Sequence, residues 1–281
     1  MSELSIMTWN GFGAAQSAMS FLRWKGVPDA HRFEHADLRA AADVDVLCVQ
    51  EVFLSEAERF FEALPHPYKV RDENRTRLFP LSFGGSGLAL ASRVPITHQT
   101  LRSFKPPHVG TERFARKGML HVRVAALGTT VDVVSTHLQS GPGTRARAIR
   151  KRQLHELSRF VDEVAAPGGA VVVCGDLNVD GLAAGGRDEY LAIGAALHGF
   201  VDLGAKADWV TFHPHPEANI LAHRFYASEA PQRLDYILYR AAGPIELVEL
   251  TRTLDQPFEE AGRPTTFASD HFALRASFRR A

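Results

Sequence analysis

The chain has 281 residues, with 32 Lys and Arg against 32 Asp and Glu, so its formal net charge is zero. This balance gives no support to a nucleic-acid coat protein or to a polybasic membrane anchor. Hydrophobic residues make up 45% of the chain and charged residues 23%, which excludes a disordered, collagen-like or coiled-coil protein. We therefore predict one globular domain that covers residues 1–281.

The two cysteines, Cys48 and Cys174, each lie inside an apolar run. This placement predicts buried thiols rather than a disulfide framework or a zinc site. The N-terminal residues MSELSIMTWNGFG contain no basic segment followed by a long apolar stretch, and no run approaches the ~18 apolar residues of a membrane span. We expect a cytoplasmic protein without a transmembrane segment, and the sequence indicates no protein partner.

Short apolar runs typical of buried strands alternate with segments of helical periodicity. The predicted strands are Leu4–Trp9, Val44–Gln50, Gly87–Ser92, Met119–Ala126, Val131–Thr136, Ala170–Cys174 and Leu234–Tyr239, and the predicted helices are His31–Ala42, Ser55–Leu64 and Thr144–Ala166. This mixed order favours an α/β sandwich over a strictly alternating Rossmann sheet. The stretch Leu203–Gln232 has no sustained period, which predicts a long ordered loop.

Polar residues of catalytic type follow the ends of the predicted strands, where side chains of α/β proteins face an open crevice. Taken singly, each of them is better explained as a turn former or a structural partner. Seven such positions together favour a site. They are Asn10, Glu51, His137, Asp176, Asn178, Asp235 and the pair Asp270-His271.

The ordered series TWN, QE, STHLQS, GDLN, RLDYIL and SDH resembles the endonuclease/exonuclease/phosphatase superfamily of metal-dependent phosphodiesterases. The stretches GGSGLALASRVPI, RFARKG and ANILAHRF are similar to those of its sphingomyelinase-like branch. The resemblance implies a four-layer α/β sandwich, in which two packed mixed β-sheets are flanked by helices. One departure concerns Ser82-Phe83, which stands where many sphingomyelinases carry acidic residues, so the resemblance supplies neither a carboxylate partner for His137 nor an additional metal site at this position.

The resemblance also implies a Mg²⁺ site, for which Mn²⁺ is a substitute. Glu51 is the expected carboxylate ligand, Asn10 is a ligand or a support for one, and Asp270 is a third candidate. Carboxylate and amide oxygens suit a hard divalent cation of this kind. The number of metal ions is left open.

The catalytic residues implied by the resemblance are His137, Asp176, Asn178, Asp235 and His271. His271, oriented by Asp235, matches the general base pair of the superfamily, although Asp176 is an alternative acceptor for the proton of water. His137 would bind the phosphate or protonate the leaving oxygen. Asp176 and Asn178 would position the attacking water or complete the metal shell.

Two residues are candidates for substrate binding. Lys117, within RFARKG, either contacts the phosphate or is an ordinary exposed lysine. Trp209 begins an aromatic stretch with Phe212, Phe225 and Tyr226, whose rings either attract a choline-type headgroup or only pack the loop. A basic cluster, Arg145, Arg147, Arg150, Lys151 and Arg152, is interpreted as a solvated helix face, with a positive rim for anionic headgroups as the alternative.

These residues predict a Mg²⁺-dependent phosphodiesterase of the sphingomyelinase or phospholipase C type, acting on a lipid or soluble headgroup ester. The alternative is a DNA or RNA nuclease with the same core, which the zero net charge disfavours. A non-catalytic binding protein is disfavoured because every expected catalytic position holds a chemically competent residue.

Overall fold

The computed structural model describes residues 2–13, 30–73, 76–78, 81–83, 85–113, 116–182, 187–240, 243–259 and 261–281. Its strands are β1 Glu3–Asn10, β2 Val46–Gln50, β3 Tyr68–Arg71, β4 Thr76–Leu78, β5 Leu81–Phe83, β6 Ala89–Ser92, β7 Ile96–Ser103, β8 Gly118–Ala126, β9 Thr129–His137, β10 Ala170–Asp176, β11 Phe200–Asp202, β12 Asp235–Arg240, β13 Ile245–Thr253 and β14 Ala273–Arg280. The helices are α1 Ala36–Ala41, α2 Ser55–Ala63, α3 Thr144–Val164, α4 Arg187–Ala196 and α5 Ile220–Tyr226, with 3₁₀ turns at Ala30–Glu34 and Gly110–Arg113.

Two six-stranded sheets form the centre of the fold. The first sheet has the order β13-β14-β1-β2-β6-β3 and the second has the order β11-β12-β10-β9-β8-β7, while β4 and β5 form a separate hairpin. Both sheets are mixed, since β1 runs parallel to β2 and β9 runs parallel to β10 among antiparallel neighbours. The predicted four-layer sandwich of two mixed sheets flanked by helices is therefore confirmed.

The hydrophobic core has three main layers. Side chains such as Leu90, Val122 and Val172 fill the space between the sheets. A second cluster, including Trp9 and Phe61, packs the outer face of the first sheet, and a third, including Leu157 and Val173, joins α3 to the second sheet. Because the central strands are covered on both faces, they read as continuous apolar runs rather than as alternating patterns.

The long predicted loop contains more structure than expected. Helix α5 lies within it, with Asn219 as its N-cap, whose side chain accepts a hydrogen bond from the Ala222 backbone N–H. The predicted helix at His31–Ala42 is divided into a 3₁₀ turn and the short helix α1. Among the described residues, no helix combines the length and apolar character needed to span a membrane.

Candidate active site

Three of the predicted site residues lie side by side at the ends of three neighbouring strands of the second sheet. Asp176 ends β10 and is paired in register with His137 of parallel β9 and with Asp235 of antiparallel β12. Gly175 allows this approach, because a Cβ atom there would lie 1.9 Å from the Thr136 carbonyl oxygen. The local fold thus places two carboxylates and one imidazole on neighbouring strands.

Asp176 is the point at which these groups and their partners meet. Its Oδ2 accepts a hydrogen bond from Asn10 Nδ2 at 3.0 Å, lies 3.2 Å from His137 Nε2 and lies 4.0 Å from His271 Nε2. Its Oδ1 accepts the backbone N–H of Asn178 at 2.8 Å. Burial alone would raise the pKa of Asp176, but the charge and hydrogen bond of His137, together with His271, lower it.

His271 and Asp235 form a buried acid–imidazole pair. His271 Nδ1 lies 2.8 Å from Asp235 Oδ2, an arrangement that leaves Nε2 directed toward Asp176. Burial lowers the pKa of His271, but the three carboxylates of Asp235, Asp270 and Asp176 outweigh it and raise that pKa well above its usual value. The ring of Phe212 packs against His271 at 5.4 Å between centroids and shields one side of the imidazole.

The three candidate metal ligands lie at strand ends of the first sheet. Asn10 ends β1, Glu51 follows β2 with a positive φ of 63°, and Asp270 precedes β14. Burial and the charge of Glu51 raise the pKa of Asp270 to about 7, which means that a carboxylate charge here needs compensation. Asn10 Oδ1 accepts the Phe12 N–H at 3.0 Å, and an amide oxygen has a second lone pair. This donor set of oxygens fits a hard divalent cation.

A second group of potential ligands lies beside the first. Ligand atoms of Asp176, Asp235 and His271 all lie within 4.8 Å of one another. The hydrogen bond between His271 and Asp235 commits two of these atoms to each other, which is the geometry of a proton-transfer pair. A divalent cation at Asn10, Glu51 and Asp270 therefore stays a prediction.

Lys117 is buried beside His137 rather than exposed on the surface. The residue is 5% exposed, and its ammonium contacts His137 Nε2 at 2.7 Å, the Leu138 carbonyl at 2.7 Å and Glu112 Oε1 at 2.6 Å. The expectation of an ordinary exposed lysine is wrong, because these three partners hold the ammonium inside the protein. Lys117 holds His137, and its direct contact with a phosphate stays a prediction.

Glu112 is a site-adjacent residue that sequence reasoning missed. Burial raises the pKa of its carboxyl, but the Lys117 ammonium and the Ser140 backbone N–H outweigh burial and lower it. No motif in the chain distinguishes Glu112 from a surface glutamate, because a contact with a lysine five positions away matches no spacing rule of a helix or a strand. His137 itself has a carboxylate neighbour in Asp176, so the lack of acidic residues at Ser82-Phe83 does not leave it without one. The side chains of Ser82 and Phe83, and all of Gly84, lie outside the described residues.

The two remaining predicted residues have different surroundings. Asn178 Nδ2 donates to the Leu138 carbonyl at 3.1 Å, so it lies at the site and also forms an Asx-type turn with Asp176. Trp209 is half-buried and packs against the core between the sheets. Its assignment to substrate binding stays a prediction.

Most of the basic cluster forms a solvated helix face, and Arg150 is the exception. Arg150 is buried, binds Glu189 through two nitrogens at 2.5 Å and 3.1 Å, and donates to the carbonyls of Gln139 and Gly141. Its role is therefore structural. Arg145, Arg147 and Lys151 are exposed on α3, as expected.

The chain belongs to the endonuclease/exonuclease/phosphatase family, whose model matches residues 7–271. It is 27% identical over 233 residues to sphingomyelinase C of Listeria ivanovii, a match that covers 75% of this chain and 67% of that protein. The crystal structure of sphingomyelinase C from Streptomyces griseocarneus superposes with a TM-score of 0.74 at 25% identity and covers 99% of both chains. These relatives confirm the predicted resemblance and support a metal-dependent phosphodiesterase of the sphingomyelinase type.

Two further solved structures show the same fold. A beta toxin variant from Staphylococcus aureus, determined with bound magnesium ions, has a TM-score of 0.71 at 21% identity and covers 98% of this chain and 99% of its own. TDP2 from D. rerio, determined with a single-stranded DNA product, has a TM-score of 0.71 at 17% identity and covers 99% and 100% of the two chains. At these identities the comparison shows the fold alone.

Proposed function

We propose that this protein hydrolyses the phosphodiester of a choline-type headgroup by metal-assisted attack of water. The observation that carries the proposal is the bond between Asn10 and Asp176, which joins the candidate metal ligands of the first sheet to the two histidines of the acid–base group. A phosphate at this junction would meet a cation on one side and two imidazoles on the other.

Glu51 and Asp270 would hold Mg²⁺, with Asn10 supporting them through its amide oxygen. When bound, the ion supplies charge stabilisation to the phosphoryl oxygens and the leaving group. Asn10 would also keep Asp176 aligned, because its amide nitrogen donates to Asp176 Oδ2 at 3.0 Å. Mn²⁺ would serve as a substitute, since it prefers the same oxygen ligands.

His271 would accept the proton of the attacking water at Nε2 in its neutral form, which a cation bound beside Asp270 would favour because it offsets carboxylate charge that raises the pKa of His271. Its Nδ1 is held by Asp235, so the ring is fixed and Nε2 is the nitrogen that faces the site. Asp176 is less suited to accept this proton, because its oxygens already face Asn10, His137 and the Asn178 N–H. Its part is to orient the two histidines.

His137 would donate a proton or a hydrogen bond on the opposite side of the phosphate. Lys117 and Asp176 both face its Nε2, at 2.7 Å and 3.2 Å. Its Nδ1 is buried and finds no hydrogen-bond partner among the described residues. A buried polar atom of this kind costs about 1–3 kcal/mol when left unpaired, so a substrate oxygen is a natural partner for it.

An aromatic cluster beside the histidines supports a choline headgroup. The ring of Phe12 packs on Phe225 at 5.4 Å and on Tyr226 at 6.4 Å, and Phe212 joins Tyr226 to His271. Phe225 and Tyr226 are only partly buried, so part of each side chain is exposed to solvent. Cation–π contacts with a quaternary ammonium contribute about 0.5–2 kcal/mol.

The test is a turnover panel at fixed Mg²⁺ that compares sphingomyelin and phosphatidylcholine with plasmid, abasic-site and single-stranded DNA. We expect choline lipids to be cleaved fastest, and Phe225→Leu to raise the KM for them by roughly 3- to 30-fold. Tyr239→Leu is the matched control, because Tyr239 is also partly buried but packs against Phe278 in the core. Equal or faster cleavage of DNA would assign the protein to the nuclease alternative. A cytoplasmic location stays a prediction.

A further inference from the structure

A buried arginine outside the predicted site binds the backbone on either side of it. Arg32 is fully buried in the first 3₁₀ turn, and its guanidinium donates to the carbonyls of Ala268 at 2.9 Å, Gly11 at 3.1 Å and Phe12 at 2.7 Å. The ring of Phe33 covers the guanidinium at 4.2 Å. The planar fork of an arginine can satisfy several fixed acceptors at once, which a lysine ammonium does less well.

These carbonyls belong to the two segments that carry candidate metal ligands. Gly11 and Phe12 directly follow Asn10, and Ala268 lies two residues before Asp270. The Ser269 hydroxyl joins the same segments, at 2.6 Å from the Asn10 carbonyl and 3.1 Å from Asp270 Oδ1. Arg32 and Ser269 therefore hold the end of β1 and the start of β14 together.

The third ligand segment packs on the first. The Gly11 N–H donates to the Gln50 carbonyl at 3.0 Å, directly before Glu51. A Cβ atom at Gly13 would lie 2.1 Å from the Glu51 carbonyl oxygen, so the two backbones are in close contact there. Any displacement of residues 11–13 would consequently move Glu51 as well as Asn10.

We propose that Arg32 is a positioning residue for the divalent-cation site, which it serves by fixing the backbone segments of Asn10, Glu51 and Asp270. The inference rests on the proposed function, because it presumes that these residues bind a metal. Arg32 lies near enough to Asp270 for their charges to interact. A positive charge at that position opposes a bound cation, so its benefit to the site must come from geometry.

The experiment measures Mg²⁺ and Mn²⁺ binding by isothermal titration calorimetry, without substrate. Arg32→Lys keeps the charge but not the fork, and Arg32→Gln removes both. We expect both variants to bind the metal more weakly. The Kd should rise by roughly 10- to 100-fold for Arg32→Gln, as for other residues that support metal ligands, and by less for Arg32→Lys. Arg233→Lys is the control, because Arg233 is equally buried but binds Asp202 at 2.9 Å. It should lower Tm and leave the metal Kd within about 2-fold.

The outcomes separate the two proposals. Absence of binding to the wild type would overturn the proposed function, and the role of Arg32 with it. Wild-type binding with an unchanged or tighter Kd in Arg32→Gln would overturn the positioning role alone, since loss of charge repulsion would then dominate. A normal Kd in Arg32→Lys would overturn it as well. If Arg32→Gln does not fold, as judged by circular dichroism, Arg32→Lys decides.

Discussion

Asn10 and Asp176 are 166 positions apart and end strands of different sheets, yet the amide nitrogen of one donates to the carboxylate of the other at 3.0 Å. Both side chains are buried. The bond links the oxygen-rich half of the site, around Glu51, to the imidazole-rich half, around His137 and His271. Neither half alone would be distinguishable from an ordinary cluster of polar residues.

The metal half is tested by Glu51→Gln. The substitution exchanges a charged oxygen ligand for a neutral one of the same shape, so we expect the fold to be kept and kcat/KM to fall by about 100-fold or more. A chelator should silence the wild type, and added Mg²⁺ or Mn²⁺ should restore it. Glu249→Gln, on the exposed part of β13, is the control and should retain activity. Full wild-type activity in excess chelator would refute the metal hypothesis.

The acid–base half is tested by His271→Ala and Asp235→Asn. We expect a fall in kcat of about 10²- to 10⁴-fold for His271→Ala, because the proton acceptor is lost. Asp235→Asn should cause a smaller fall, since the ring remains but is no longer held by a carboxylate. His155→Ala, at an exposed position of α3, serves as the control. Stopped-flow or steady-state assays on variants shown to be folded decide the matter, and near-normal turnover in His271→Ala would contradict the mechanism.

Lys117→Gln distinguishes two roles for this lysine. Because the Lys117 ammonium contacts His137 Nε2 at 2.7 Å, we expect the variant to lower kcat with little change in KM. Direct binding of the substrate phosphate predicts the opposite, a raised KM with kcat largely kept. Kinetics at saturating Mg²⁺ separate these cases. Lys151→Gln, exposed on α3, is the matched control.

A buried carboxylate away from the site predicts how stability depends on pH. Asp132 accepts hydrogen bonds from the Ala166 N–H at 2.7 Å and Arg123 Nε at 2.8 Å, and lies 2.7 Å from His121 Nε2. Burial raises the pKa of Asp132, but these partners outweigh burial and lower it. The unfolded chain then binds its proton first as the pH falls, so the stabilisation is present above about pH 4 and is lost below it.

The corresponding variant is Asp132→Asn, which cannot titrate. At pH 7 we expect it to lower the free energy of unfolding by about 3 kcal/mol, because Arg123 loses a buried anionic partner. Between about pH 5 and pH 3, its stability should change less than that of the wild type. Urea titrations at each pH measure both effects, with exposed Asp208→Asn as the control. Equal pH dependence of the wild type and Asp132→Asn would show that Asp132 does not supply this stabilisation.

The sequence allowed the central strands to be predicted, because burial on both faces makes them continuous apolar runs. The strand predicted at Ala170–Cys174 is observed at Ala170–Asp176, and that at Met119–Ala126 is observed at Gly118–Ala126. Apart from β14, the strands that were missed lie at sheet edges. Strand β7, with the sequence ITHQTLRS, is mostly polar because little of it is buried, so neither alternation nor an apolar run marks it.

The site could be predicted as a set of residue types at strand ends but not as a set of contacts. Asn10, His137 and Asp176 were identified in this way, and the structure brings them together. The partners that hold them could not be identified, because Glu112 acts on His137 through Lys117 and Arg32 acts through backbone carbonyls. Such contacts depend on how loops pack, and no spacing rule describes them.

The hydrogen bond from Gln50 Nε2 on β2 to Ser135 Oγ on β9, at 3.2 Å, joins the two sheets one layer beneath the site. Because the candidate metal ligands belong to one sheet and the candidate catalytic residues His137 and Asp176 to the other, we expect that neither sheet alone supports turnover. During refolding, catalytic activity should therefore report when the two sheets dock. In a refolding experiment, we expect far-ultraviolet circular dichroism to recover before enzymatic activity, with the interval between them measuring the time that the two sheets need to dock.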